Sequence, residues 1–466
     1  MRERGDLYPY QNRVVEFIKS HENCAIWVDP GLGKTVSTLT AFADLRDAFD
    51  AERMLVVAPL RVARRVWHAE VQDWAHLQGL TVSRIVGTEK QRLAAMAQPA
   101  HIHTINRENV QWLENYIAPN RKQVRPWPWD LVTLDESQSF KSQSSQRWKS
   151  LRRLRKLFPR CVELTGTAAP NGYGDLWSQM FLLDRGARLG QTETAYRDRW
   201  FNPPEFGGFT WTIKEHAKAE IQQAVADITL VMRAEDYLDL PPVQYNRISV
   251  PLSPAIMKKY RALSREYILE LGSGKLVTAV NAGVCRSKLL QLANGAIYVD
   301  ERKYEVLHDE KLEALAEVLE GLPRPALIAY AFRHDRERLA RFMGKFCGSH
   351  ARFAFLDNDR AFDLFAAGQL DYGIAHPGSM GHGLNDLYRS GAEHAVWFGL
   401  TDNLEYYLQF NARLTGGHRR RGKAIVIHHI LCDDTQDEET YSLITRKGAT
   451  QDDLTSSLVR LARETT

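Results

Sequence analysis

No run of apolar residues in this chain approaches the roughly 18 needed to cross a bilayer, so no transmembrane span and no membrane partner are expected. The opening Met1-Arg-Glu-Arg-Gly-Asp6 is polar and lacks a signal-peptide pattern, which points to a cytoplasmic protein. Cysteine is scarce and odd in number: Cys24, Cys161, Cys285, Cys347 and Cys432 are scattered, and no zinc-ligand spacing occurs. That pattern excludes a disulfide framework and fits free buried thiols in a reducing compartment. Charge of one sign is also lacking, since 61 basic residues face 57 acidic ones for a net +4. A nucleic-acid surface must therefore be argued from local clusters and not from overall charge. Disorder is excluded by a hydrophobic content of 44% against 25% charged residues. At 466 residues the chain exceeds what one core usually supports, and two domains are expected.

Against these absences stands Asp29-Pro-Gly-Leu-Gly-Lys-Thr35, preceded by the apolar run Cys24 to Val28 and followed by a helical pattern from Val36 to Phe49. A strand, a glycine-bearing turn and a helix start make an anion site: small residues let backbone amides close on an oxyanion, and the helix terminus adds its dipole. In such a loop Pro30, Gly31, Leu32 and Gly33 wrap the phosphates, Lys34 reaches the β- and γ-phosphates, and the Thr35 hydroxyl ligates Mg²⁺. The strict pattern has glycine where this chain has Val28. About a hundred residues later the apolar run Trp129 to Leu134 ends in Asp135 and Glu136. At the carboxyl end of a strand in an open α/β sheet, Asp135 is placed to hold Mg²⁺ and Glu136 to polarise the attacking water. ATP and Mg²⁺ are thus the expected cofactors.

Strand-like runs alternate with helical patterns twice. The first series is Cys24 to Val28, Met54 to Ala58, Ile102 to Ile105, Leu131 to Leu134 and Cys161 to Leu164; the second is Ala326 to Tyr330, Phe353 to Phe355, Tyr372 to Ala375, Ala395 to Phe398 and Ala424 to Leu431. Each spacing leaves room for crossover helices, which predicts two parallel sheets of the α/β class. Residues 1–238 are read as an ATP-binding lobe with a helical insertion at about 175–235, and 239–466 as a second lobe with an insertion at about 254–322.

In order along the chain, the motifs resemble those of a superfamily 2 helicase-like ATPase, specifically the Swi/Snf type of double-stranded DNA translocase in its compact bacteriophage or prophage version. The resemblance implies two tandem RecA-like lobes with helical insertions. Leu7-Tyr-Pro-Tyr-Gln11 is similar to the adenine-reading motif, which gives Gln11 a contact to the base. Val56-Val-Ala-Pro-Leu60 and His103-Thr-Ile-Asn106 are similar to motifs that touch a nucleic-acid backbone, implicating Pro59, Arg61, Thr104 and Asn106. Leu164-Thr-Gly-Thr167 matches the loop that couples hydrolysis to lobe movement through Thr165, Gly166 and Thr167, with Ala168 where the family usually has proline. His376 to Asn385 resembles a glycine-rich motif meeting DNA, with Gly378, Gly381, Gly383 and Asn385 as contacts. Arg413 occupies the position of an arginine finger that stabilises charge on the γ-phosphate. The usual spacing puts a second finger at Gly416, so Arg419 or Arg420 must serve instead.

The implied activity is a nucleic-acid-dependent ATPase that moves along duplex DNA. A strand-separating helicase on single strands, and a silent nucleic-acid-binding scaffold or motor subunit for a separate nuclease, remain as alternatives; no nuclease motif stands in this chain. Phosphate contacts predict sequence-independent, salt-sensitive binding. Arg61, Arg64 and Arg65 follow a backbone-touching motif and are candidate contacts, while Lys141 to Lys156 reads as an amphipathic helix with a basic face. His101, His103, His428 and His429 sit on apparent strands without companion ligands and read as core or edge histidines.

Overall fold

Seven strands build the first sheet of the computed structural model, which describes residues 1–119, 124–204, 211–238, 242–272, 279–300, 303–380, 387–415 and 424–464. In chain order they are β1 (Asn23–Val28), β2 (Met54–Ala58), β3 (Val82–Ile85), β4 (Ile102–Asn106), β5 (Leu131–Asp135), β6 (Arg160–Thr165) and, after the small hairpin β7 (Phe201–Asn202) and β8 (Thr212–Ile213), β9 (Thr229–Met232). Their lateral order is β3-β4-β2-β5-β6-β1-β9, and every pairing is parallel. Parallel sheets bury both faces, and that explains why β2, β4 and β5 read as continuous buried runs. Side chains alternate between two cores: Ala25, Trp27, Leu55, Val57, Val132 and Leu134 face one, and Cys24, Ile26, Met54, Val56, Leu131 and Leu164 face the other.

The second sheet holds six strands: β10 (Gln244–Val250), β13 (Ala326–Ala329), β14 (Phe353–Phe355), β15 (Tyr372–Ala375), β16 (His394–Trp397) and β17 (Val426–Cys432), with a hairpin of β11 (Ala296–Tyr298) and β12 (Tyr304–Val306) lying outside it. Its order is β10-β17-β16-β13-β15-β14, again parallel throughout. The fold class is therefore α/β, with two RecA-like parallel-sheet units. One unit comprises Met1–Pro204, Thr210–Leu238 and Ala449–Thr466; Asp239–Gly448 fall in the other. Leu454 and Leu458, from the end of the C-terminal helix Gln436–Glu464, lie in the core of the first unit. No helix among the described residues is long and apolar enough to cross a membrane.

The expected strands appear within about two residues of their predicted limits. Three sheet strands escaped the sequence reading, and two of them show why. β3 buries two of its four residues at the sheet edge, and β10 is mostly exposed, so neither carries an uninterrupted apolar run. The basic stretch after Lys141 also differs from expectation. Its helix is only Gln146–Leu154, with Trp148, Leu151 and Leu154 forming its buried face, but Arg155 is buried too. The Arg155 guanidinium donates to the Phe158 carbonyl (3.1 Å), Asn23 Oδ1 (2.6 Å) and the carbonyls of Leu182 and Leu183. It closes a chain turn and does not join a solvated basic face.

Candidate functional site

Strand order puts three loops side by side. β6 lies between β5 and β1, with Asp135 opposite Leu164 and Trp27 opposite Thr165. The carboxyl ends of these neighbours carry the Asp135-Glu136 pair, the Thr165-Gly166-Thr167 loop and the phosphate loop. Sheet topology thus gathers, within one unit, residues spread over more than a hundred positions of sequence.

The phosphate loop turns on Gly31 (φ 89°) and Gly33 (φ 85°), both in the left-handed region that other residues rarely adopt. Gly33 is also hemmed in, since an added Cβ would overlap the Gln11 side-chain amide. Gln11, buried on the helix Pro9–Ser20, donates from Nε2 to the Leu32 carbonyl (3.1 Å) and accepts from the Tyr8 amide through Oε1 (3.0 Å). It therefore touches the loop as well as standing beside it in sequence order of motifs. Lys34 opens the helix Lys34–Asp47 and donates to the Val28 carbonyl and to that of Asp29 (3.3 Å). Burial pushes its ammonium below the usual lysine range, while Glu136, Asp135 and Asp29 pull the other way. A cation facing three carboxylates is the charge balance of a site that takes an anion together with a metal ion. Thr35, half-buried, follows in the first helical turn, and Pro30 is exposed at the loop's tip.

Asp135 is buried and accepts from the Trp67 indole N–H (3.1 Å), which leaves its orientation fixed from behind. Glu136 has φ 57° and ψ 58°, a left-handed conformation that is strained for a non-glycine residue and clusters at functional sites. Its carboxylate accepts from Gln138 Nε2 (2.7 Å), Gln138 Oε1 accepts from the Thr165 hydroxyl (2.6 Å), and Thr165 Oγ1 accepts from the Thr167 amide (2.9 Å). One hydrogen-bonded chain thus runs from Glu136 into the neighbouring loop. Gly166 packs directly on the phosphate loop, where an added Cβ would come within 3.0 Å of Pro30 Cδ.

The expected backbone-contact residues divide into two groups. Pro59, Thr104 and Asn106 are buried. Thr104 donates its hydroxyl to the Ala63 carbonyl (2.7 Å), and Asn106 is engaged with Glu108 (2.9 Å) and Asn109 (2.6 Å). Thr104 therefore braces a π-helical turn, Val62–Val66, and presents no surface of its own. That turn exposes Arg64 and Arg65, which with Arg84 of β3, Val86, Gly87 and Gln91 line an open cavity of about 500 Å³. Arg61, half-buried, precedes the turn.

In the second unit Gly378 lies in the turn Pro377–Met380 after β15, its amide donating to His376 Nδ1 (3.1 Å). Arg413, on the helix Leu404–Thr415, donates from Nε to the Met380 carbonyl (3.1 Å), so the finger position and the glycine turn touch. Gly381, Gly383, Asn385, Arg419 and Arg420 lie outside the described residues.

Residues 10–294 match the SNF2-related domain. Over 470 residues, 97% of this chain and 98% of the relative, the sequence is 34% identical to protein p41 of Acyrthosiphon pisum secondary endosymbiont phage 1. The chain belongs to the SNF2-related family. Like the family, this SNF2-related protein is a nucleic-acid-dependent ATPase of helicase superfamily 2. Helicase SWR1 of Saccharomyces cerevisiae is 26% identical over 320 residues, which are 62% of this chain but only 20% of SWR1. A solved Sulfolobus solfataricus SWI2/SNF2 ATPase core in complex with dsDNA is 19% identical and covers 97% of this chain and 93% of its own, with a TM-score of 0.45.

Three further residues of the SNF2-related protein stand at the site without having been singled out in the sequence: Gln138, Gln179 and Gln451. Gln138, two positions past Glu136, carried the nearest thing to a signal. Gln179 accepts from the Ser137 hydroxyl (3.0 Å) and donates to the Ala168 carbonyl (2.7 Å). Gln451 accepts from the Ala169 amide (2.8 Å). Isolated glutamines on helices carry no pattern, and only the folded chain brings them to one loop.

Proposed function

We propose that this protein is an ATP-driven translocase on duplex DNA, which remodels DNA or DNA–protein structures without needing to separate strands. The observation that carries the reading is the hydrogen-bonded path Glu136–Gln138–Thr165–Thr167, because it ties the water-activating position to the loop that responds to it. The donor set fits a nucleotide with its metal: Gly31 and Gly33 open the loop, Lys34 meets the phosphates, and Thr35 with Asp135 would hold Mg²⁺. Bound Mg²⁺ would neutralise charge on the transferring phosphoryl group. Gln11 is assigned to the base, Glu136 to the attacking water, and Arg413 to the γ-phosphate as the arginine finger, with one of Arg419 and Arg420 beside it. The protein is assigned an ATP-binding lobe at 1–238 and a second lobe at 239–466, although the stretch from Ala449 onward groups with the first unit. Its nucleic-acid contacts are assigned to Pro59, Arg61 and the glycine-rich segment from Gly378 through Gly381 and Gly383 to Asn385. Thr104 and Asn106 are assigned to supporting that surface from within. The phage relative favours work in the cytoplasm of a bacterial host.

The chemistry is positioning and charge stabilisation. Lys34 enters the site among carboxylates, so an incoming triphosphate with its cation replaces one set of charge contacts by another. Glu136, fixed by Gln138, orients water and accepts its proton. Thr165 then reads the change at Glu136 through Gln138 and passes it to the Thr167 backbone.

Turnover measured with duplex DNA, single-stranded DNA and no polymer tests the substrate. Stimulation by duplex at least as great as by single strands is expected. Stimulation by single strands alone would establish the strand-separating reading in its place.

A further inference from the structure

Side-chain amides from three separate elements hold the loop Thr165 to Ala169. Gln138 receives the Thr165 hydroxyl (2.6 Å), Gln179 of the helix Leu176–Asp184 donates to the Ala168 carbonyl (2.7 Å), and Gln451 of the C-terminal helix accepts from the Ala169 amide (2.8 Å). Ala169 is fully buried and Gln451 is 5% exposed, so no water competes for this bond. A buried backbone N–H without a partner costs about 1–3 kcal/mol, which makes an acceptor at this place a requirement and not a convenience.

The loop so held lies against the phosphate loop through Gly166 and Pro30. A second tie from the same helical turn leads toward that loop. Arg233 pairs with Asp452 (3.3 Å), and the adjacent Ala234 amide donates to Asp29 Oδ2 (2.8 Å). Leu454 and Leu458, buried in the core of the first unit, seat the turn that carries Gln451 and Asp452. The end of the chain is thereby built into the surroundings of the nucleotide loop, more than 280 residues beyond the loop it supports.

We propose that Gln451 is a positioning residue for ATP hydrolysis. By fixing the Ala169 amide it holds Thr165 to Thr167 in register with Gln138 and Gly166 against Pro30, so the C-terminal helix is a working part of the nucleotide site. This inference rests on the reading of Thr165 to Thr167 as the coupling loop. A packing role alone would lower thermal stability and leave turnover per folded molecule intact.

The test compares full-length wild type with Gln451→Leu, which keeps bulk but removes the acceptor, and Gln451→Glu, which restores one. ATP turnover, KM for ATP and amide exchange over residues 164–172 are measured on each. Gln451→Leu is expected to lose about ten-fold or more in turnover with KM changed by less than about three-fold, while the Ala169 amide exchanges faster. Gln451→Glu is expected to recover at least roughly a third of wild-type turnover. Turnover of folded Gln451→Leu within about two-fold of wild type overturns the proposal. Should Gln451→Leu fail to fold, wild type decides: an Ala169 amide that exchanges as fast as an exposed loop overturns it, and one as protected as β6 supports it. A wild type that hydrolyses no ATP with any polymer contradicts the proposed function instead, which keeps the two failures apart.

Discussion

The hydroxyl of Thr165 donates to Gln138 Oε1 across 2.6 Å, and both side chains are buried. Gln138 has its other end on Glu136, so its orientation is set by an acid on one side and a loop on the other. Gln138→Leu breaks both bonds at once. Turnover should fall about ten- to a hundred-fold with ATP binding little changed, since the lost contacts orient the carboxylate proposed to activate water and are not among those proposed to hold the nucleotide. Steady-state kinetics with a separate ATP-binding titration checks this; a rise in KM with unchanged kcat would place Gln138 in nucleotide binding.

Lys34 is buried near enough to Glu136, Asp135 and Asp29 to feel the charge of each. Removing it leaves three carboxylates facing an incoming polyanion. Lys34→Ala should lower turnover by about 10²–10³ or more and weaken nucleotide binding as well. Substantial turnover in the folded variant would show that the loop is not catalytic.

Arg64, Arg65 and Arg84 expose guanidinium groups around one cavity, above a turn braced by Thr104. If this face grips DNA phosphates, each of Arg64→Ala and Arg84→Ala should weaken binding about equally for all sequences and reduce the slope of log K against log salt by roughly one. Thr104→Val should do the same indirectly, by releasing the Ala63 carbonyl. Fluorescence anisotropy over a salt series measures all three, and slopes identical to wild type would remove this surface from the interface.

Glu163 is fully buried on β6 and neither carboxylate oxygen finds a hydrogen bond of good geometry. Burial pushes its carboxyl well above the usual range, with Arg155 opposing, Asp184 reinforcing and the nearby Ser137 hydroxyl opposing. With a raised folded-state pKa, its contribution to stability is complete below the unfolded value of about 4.3 and is lost as pH rises toward the folded one. Glu163→Gln is neutral at every pH and escapes that loss. Its Tm relative to wild type should therefore climb between pH 4 and pH 8, by a few degrees in total (~2–4 °C per kcal/mol). A difference that stays constant over this range would mean Glu163 is not held protonated.

Much of this was legible in the sequence because parallel strands and phosphate loops leave local marks. β1, β2, β5 and β6 are apolar runs bounded by turns, and Gly31, Gly33, Lys34 and Asp135 announce themselves by type and spacing. Thr104 was legible as a member of its motif and illegible in its task, since no spacing tells that its hydroxyl turns inward to Ala63. Glu163 lay hidden inside a strand that reads as apolar from Cys161 to Leu164. Gln451 was out of reach altogether: its partner Ala169 is joined to it only by the way the stretch from Ala449 folds into the first unit.

Displacement of a third strand from a short DNA triplex tests duplex tracking most directly, because a motor moving along the duplex must eject the bound strand and a mere DNA-stimulated ATPase need not. Wild type with ATP should release the third strand, while Glu136→Gln, whose turnover should drop by about 10²–10⁴, should bind the DNA and release none. Vigorous duplex-stimulated hydrolysis by the wild type with the triplex left intact would contradict the account.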